Sequence, residues 1–287
     1  MIRPATQTCS QPAEAFCAAT RLSYLQIGAG ELAIVLVHGF GASKEIWWSS
    51  LLALAPLGRV FALDLPGHGG SPLHGDSRMP RIAARIADFC AARGLSAISL
   101  VGHSMGGNVA LELTLDRPAL VRRLVLVDPA AHSDEMPIYA HSTHVDNLHR
   151  WAALRASMAL AQKVGVVGRL VPHRHRGGFL LPALRRASYL ARHDVDALHQ
   201  QLTSLFANPI GARMAAVRAP TLVISGEFDP LVPPALSRRV AEAIPGARYA
   251  VVRRAGHNPM DERPRAFERI LLEFLQESTA GEPSTTG

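Results

Sequence analysis

The sequence predicts an α/β protein built on a mostly parallel central sheet flanked by helices, and three observations carry that expectation. Short runs rich in Val, Ile and Leu recur along the chain, each bounded by turn residues. Segments with helical spacing of apolar residues separate them. The runs lack polar alternation, as strands covered on both faces should. Strands that alternate with helices in this way define a parallel sheet.

The expected strands are Ala33–Val37, Arg59–Leu63, Ala97–Val101, Leu124–Val127, Thr221–Ile224 and Tyr249–Val252. Between them, Ile82, Ile86 and Phe89 repeat at four and three residues, and Phe267, Ile270, Leu271 and Phe274 do the same, as helices packed on a sheet require. The rhythm breaks once, where about 90 residues separate Val127 from Thr221. A structureless loop of that length inside a domain is implausible. Trp151, Leu154 and Met158 stand at helical spacing there, interrupted by Gly165, Gly168, Pro172, Gly177, Gly178 and Pro182, which reads as several short inserted helices. The expected organisation is an N-terminal extension over 1–21, a core formed by 22–132 and 212–277, a helical insertion over 133–211 and a flexible tail over 278–287. Residues 1 to about 20 and the tail are small and polar, and both are expected to be poorly ordered.

Composition narrows the class. The 287 residues are 48% hydrophobic and 18% charged, a balance that buries a core and excludes disorder. The length suits one large domain or one domain carrying an insertion. Thirty Lys+Arg against 23 Asp+Glu give a net charge of +7, but Lys44 and Lys163 are the only lysines and no basic run occurs. A nucleic-acid partner would require clustered charge. Cys9, Cys17 and Cys90 form neither a disulfide framework nor a zinc spacing, and Cys90 reads as a small core residue. No signal-peptide core and no stretch of about 18 apolar residues is present, so a soluble, cytoplasmic protein without a transmembrane segment is expected.

The strongest chemical signal is Gly102-His103-Ser104-Met105-Gly106-Gly107, directly after an expected strand and before a helical stretch, Asn108 to Asp116. A serine on so sharp a turn needs flanking glycines to avoid collision, and the turn pushes its hydroxyl into the open. It also aims the Met105 amide and the positive end of the next helix at any oxyanion formed beside Ser104. Serine is a weak nucleophile until a base takes its proton, so a histidine and an orienting carboxylate should follow. Asp229 follows the strand Thr221–Ile224, and His257 follows the next one in Ala255-Gly256-His257-Asn258-Pro259.

On these motifs the chain resembles the α/β-hydrolase superfamily over roughly residues 22 to 276, in the branch with a helical lid. His38-Gly39-Phe40-Gly41, Asp64-Leu65-Pro66-Gly67-His68-Gly69-Gly70-Ser71 and His257-Asn258-Pro259-Met260-Asp261-Glu262-Arg263-Pro264 strengthen the resemblance. It implies Ser104 as nucleophile, His257 as general base and acid, Asp229 as orienting acid, and an oxyanion hole from the Phe40 and Met105 amides. Asp128 is the rival for the orienting acid, because some members carry it on the earlier strand. The Asp64 turn is read as structural.

Neither metal nor cofactor is expected. His141, His144 and His149, or His173 and His175, lack acidic partners at ligand spacing, and the loop from Gly39 to Lys44 lacks the spacing of a phosphate loop. Members that attack with aspartate are excluded by Ser104. The expected activity is cleavage of carboxylic esters through an acyl-enzyme, on a small-molecule substrate with an apolar acyl group. The alternatives are carbon–carbon bond hydrolysis of ring-cleavage products, weakened by Asn258 where that family places an aromatic residue, and acyl transfer or perhydrolysis. A hydrolase-fold ligand-binding protein is the non-enzymatic alternative, disfavoured because Ser, Asp and His are all present.

Substrate selection is expected from the lid, where Trp151, Met158, Val167, Leu170, Phe179, Leu180 and Tyr189 either line an acyl pocket or pack onto the core; Trp47 and Trp48 share that ambiguity. Residues 133–211 hold nine Arg+Lys against five Asp+Glu, so more than half of the net charge sits there, with Arg174 and Arg176 as candidates for drawing acidic substrates or lipid surfaces.

Overall fold

The computed structural model describes residues 11–137, 189, 192–207 and 210–277. Eight strands form one sheet: β1 (Ala13–Cys17), β2 (Leu22–Ile27), β3 (Ala33–Val37), β4 (Arg59–Leu63), β5 (Ile98–His103), β6 (Val121–Val127), β7 (Thr221–Gly226) and β8 (Arg248–Val252). Their spatial order is β1-β2-β4-β3-β5-β6-β7-β8. From β4 to β8 every neighbouring pair is parallel, while β2 runs antiparallel to both β1 and β4. The described helices are α1 (Trp48–Leu54), α2 (Met79–Ala92), α3 (Met105–Asp116), α4 (Val195–Ala207), α5 (Pro234–Ala243), α6 (Pro259–Glu262) and α7 (Pro264–Gln276).

The uninterrupted apolar runs have their reason in two cores. Along β3, Val35 and Val37 enter the core shared with α2, α3 and α5. Ile34 and Leu36 enter the opposite core, shared with α1 and α7. Neither face of β3 meets water, so neither tolerates a polar residue. The helical spacing matches: Ile82, Ile86 and Phe89 of α2 are buried in one core, and Phe267, Leu271 and Phe274 of α7 in the other. Cys90 lies in the first core, where burial pushes its thiol up to about 12.

Two differences from the sequence reading have physical causes. Within the segment expected to be a poorly ordered extension, Ala13–Cys17 forms the edge strand β1, paired in register from Ala13 with Gln26 to Cys17 with Leu22. An edge strand is half exposed, so its apolar signal is weak. Strand β6 begins three residues earlier than expected, at Val121, and includes Arg122 and Arg123. Arg123 is buried because its guanidinium donates to the Leu275 carbonyl at the end of α7 at 2.9 Å. Most of the expected insertion and the tail 278–287 lie outside the described residues, including His141, His144, His149, His173, His175, Arg174, Arg176, Lys163 and the expected lid residues Trp151, Met158, Val167, Leu170, Phe179 and Leu180. Tyr189 is buried, and Trp47 is a core residue packed on Phe267 at 6.3 Å between ring centres. No helix among the described residues is long and apolar enough to cross a membrane.

Lys44 ties the antiparallel hairpin to the parallel sheet. Its buried ammonium lies 2.6 Å from Asp64 Oδ2, 2.9 Å from Glu14 Oε1 of β1 and 3.0 Å from Ser23 Oγ of β2. Burial alone would lower the Lys44 pKa, but the Asp64 and Glu45 carboxylates outweigh it and raise it above its ordinary value. Replacing Lys44 with Met strands the Asp64 carboxylate in the interior and should cost about 3–5 kcal/mol, read by urea unfolding. A loss below about 1 kcal/mol would show that the cluster relaxes into water.

Candidate active site

The sheet reverses its winding between β3 and β5, with β4 on one side of β3 and β5 on the other. Ligands of open parallel sheets bind at such a switch point, at the carboxyl ends of the strands. The segments that follow β3, β5, β7 and β8 there carry His38, Ser104, Asp229 and His257.

Ser104 joins β5 to α3 with φ 54° and ψ −119°, a left-handed conformation that costs about 1–3 kcal/mol in a non-glycine residue. Backbone bonds hold it there. Its N–H donates to the Val127 carbonyl at 2.9 Å, and its carbonyl accepts from Gly107 at 2.9 Å and Ala130 at 3.0 Å. A serine in front of a helix ordinarily turns its hydroxyl back to cap the helix. Ser104 makes no such cap. Its Oγ points instead to His257 Nε2, 3.0 Å away.

His257 Nδ1 lies 2.7 Å from Asp229 Oδ2. The Asp229 Oδ1 accepts from the Leu231 and Val232 amides at 2.8 and 3.0 Å. A carboxylate on Nδ1 keeps the proton on that nitrogen and leaves Nε2 free to accept from the serine hydroxyl. The three side chains named from sequence are thus in one hydrogen-bonded chain, and Asp128 is not bonded to His257 in it.

The loop after β3 reaches the serine because Gly39 has no side chain. A Cβ there would sit 2.9 Å from the Ser104 Cβ. Phe40 follows with an exposed side chain. The Met105 amide, first in α3, has no intrahelical acceptor by construction of the helix. His38 fixes the loop from behind: its Nε2 accepts from the Leu65 amide at 3.0 Å, so Nδ1 carries the proton and donates to the Gly39 carbonyl at 2.8 Å.

Three supports escaped the sequence reading. His103 donates from Nε2 to the His257 carbonyl at 2.7 Å and packs at a tilt against the His257 ring, with centres 4.8 Å apart. Glu262 accepts from the Gly256 amide at 2.6 Å, clamping the same loop. Behind the β3 loop, His38, His68 and His193 pack as tilted rings with centres 4.9 and 4.5 Å apart. The available signal was the presence of histidines beside the motifs and of Glu262 within the last one. None of the three announces its partner.

Among the described residues, one constellation has metal-ligand composition: His103, Asp128 and His257 offer one atom each, all within 4.8 Å of one another. Both His257 nitrogens already serve Asp229 and Ser104, and His103 Nε2 serves the His257 carbonyl. The arrangement is a hydrogen-bonded network around the serine. A groove of about 690 Å³ beside α2 and α4, lined by residues including Arg78, Arg81 and His199, contains no nucleophile of this set.

A serine on the turn after the central strand, with its base and acid arriving from two later strands, defines the hydrolase class of parallel-sheet proteins. The chain belongs to the α/β hydrolase fold family, which matches residues 33–264. It is 30% identical over 265 residues to a dihydrolipoyllysine-residue acetyltransferase component of the acetoin cleaving system from Cupriavidus necator, covering 89% of this chain and 66% of that longer protein. It is 28% identical to a pimeloyl-[acyl-carrier protein] methyl ester esterase from Yersinia pseudotuberculosis, over 90% of this chain and 98% of that one. In structure it is similar to a thermophilic esterase from Thermogutta terrifontis, with a TM-score of 0.70, 24% identity, and coverage of 93% and 98% of the two chains.

The geometry sets two expectations. A methyl group at Gly106 would press into the His38 carbonyl, so Gly106→Ala should displace the β3 loop and slow fluorophosphonate labelling of Ser104 by about 100-fold. Labelling at the wild-type rate would show that the loop yields without consequence. The buried histidine cluster supplies the second. Burial holds His38 at about 3 and His193 at about 4, and keeps His68 well below its ordinary value. The unfolded chain therefore binds protons that the folded chain refuses. Their contribution is intact above about pH 6.5 and is lost as pH falls toward those values. His68→Phe should flatten the acid decline of stability by about 1.4 kcal/mol per pH unit between roughly pH 6 and 4.5. An unchanged slope in thermal unfolding across that range would refute it.

Proposed function

We propose that the protein is a serine hydrolase that cleaves carboxylic esters through an acyl-enzyme. The observation that carries this reading is the continuous chain from Ser104 Oγ through His257 to Asp229, at 3.0 and 2.7 Å. The esterase chemistry of a relative that aligns over nearly its whole length supports the same class.

Ser104 Oγ attacks the ester carbonyl as His257 Nε2 takes its proton. The Phe40 and Met105 amides receive the oxyanion of the tetrahedral intermediate, where one such donor contributes about 100 to 1000-fold in turnover. His257 then gives its proton to the departing alcohol, leaving an ester on Ser104. Water activated by the same histidine releases the acid. Asp229 keeps the imidazole in the tautomer this needs and stabilises the imidazolium. The chain between β6 and β7, to which the sequence assigns the helical insertion 133–211, would supply the cover that selects the acyl group.

Wild-type protein should hydrolyse p-nitrophenyl esters and be labelled by a fluorophosphonate, with Ser104→Ala losing both, the hydrolysis by at least about 1000-fold. Asp229→Asn should retain the fold and lose about 100-fold or more in kcat. Strong Ser104 labelling without ester turnover at any acyl length would move the reading to another acyl acceptor or bond. Ester turnover that survives Ser104→Ala would end it.

A further inference from the structure

Asp128 ends β6 one strand away from Asp229, in a left-handed conformation with φ 43°. It is fully buried. Its N–H donates to the Ile224 carbonyl at 2.8 Å, and its Oδ1 accepts from the Gly226 amide at 2.9 Å, so β7 fixes its position. Its Oδ2 meets no hydrogen-bond donor among the described residues. The groups that face it are His103 from β5, Ser225 from β7, Asp229 after β7 and His257 after β8. No lysine or arginine is among them.

Two carboxyl groups in contact in a buried site cannot both be ionised. The donors decide which one is. Asp229 has two backbone amides on Oδ1 and the His257 Nδ1–H on Oδ2, whereas Asp128 has one amide and the weaker help of the Ser225 hydroxyl beside it. Burial and the neighbouring Asp229 charge raise the Asp128 pKa well above the carboxylate range. The proton therefore belongs to Asp128, and the Asp229 carboxylate is the acceptor within its reach.

We propose that Asp128 is a positioning residue: a neutral carboxylic acid that donates a hydrogen bond to the Asp229 carboxylate, holds it against His257, and keeps a second negative charge out of the triad. This rests on the ester-hydrolase reading for its kinetic consequence only. Loss of the Asp128 proton at alkaline pH would place two carboxylates beside the imidazolium. The imidazolium would then hold its proton too firmly to pass it to the leaving group.

Two variants and two readouts test this. Asp128→Leu should lower kcat by about 10-fold or more with little change in KM, and Asp128→Asn, whose amide also donates, should recover most of that loss and remove the alkaline decline. Without any substrate, Asp128→Asn should gain stability over wild type as pH rises from about 4, with the ratio of unfolding constants shifting by up to tenfold per pH unit. The sign follows from a raised folded pKa: the wild type must take up a proton on folding, and asparagine need not. A stability difference that is flat with pH would overturn the proposal, as would an Asn variant as impaired as Asp229→Asn. If Asp128→Asn does not fold, infrared spectra of wild type at neutral pH decide: a protonated carboxyl band that vanishes at alkaline pH supports the proposal, and its absence overturns it. Failure of the wild type to cleave esters would fall on the functional reading alone, since the stability and infrared measurements need no substrate.

Discussion

The backbone at Ser104 is the constraint that the surrounding structure serves. A left-handed serine between a buried strand and a helix is unfavourable on its own, and three backbone bonds from β6, α3 and the segment after Asp128 hold it in place. The parallel sheet makes those bonds possible, since Val127 O is delivered to the Ser104 N–H by the register that pairs His103 with Val127. The same turn frees the hydroxyl from helix capping and turns it toward His257. The strain at Ser104 and the direction of its hydroxyl are thus one feature, and the energy that sustains it comes from the two cores on either face of the sheet.

Rigidity around the serine comes from polar groups buried behind it. His38 is locked as one tautomer between the Leu65 amide and the Gly39 carbonyl, so the loop carrying Phe40 inherits its position from the turn after β4. That turn is held by Asp64, which accepts from the Lys44 and Gly70 amides at 2.8 Å each and pairs with the Lys44 ammonium. Glu45, next in sequence, meets Arg192 at 3.2 Å, linking the same loop to the segment that leads into α4. Each group is expensive to bury alone and is kept because its partner is present. Such a network fixes the geometry of the loop after β3 more than it adds stability.

The sheet and the hydrogen-bonded chain of Ser104, His257 and Asp229 were legible because their signals are local. A strand covered on both faces must be apolar throughout, as Ala33–Val37 is, and a serine on a sharp turn must have small neighbours, as Gly102 and Gly106 provide. Features that depend on a partner distant in sequence were not legible. The strand Ala13–Cys17 exists only because β2 offers it an edge. Arg123 reads as a surface residue until the Leu275 carbonyl, 152 positions away, is placed beside it. His103 gives no sign that it holds the His257 carbonyl, which lies 154 positions away.

The choice between Asp128 and Asp229 shows why residue type alone stops short of chemistry. Both follow neighbouring strands of the sheet, both are buried, and either could face a histidine from the next loop. What separates them is the backbone after each. Pro230 turns the chain beyond Asp229 so that the Leu231 and Val232 amides converge on one carboxylate oxygen, solvating its charge with fixed dipoles. Asp128 is followed by Pro129, which has no N–H to offer, and the Ala130 amide is spent on the Ser104 carbonyl. Amide supply therefore assigns the charge to Asp229 and leaves Asp128 as the acid. A proline placed one residue after each aspartate has opposite consequences, because what matters is where the next free N–H groups are directed.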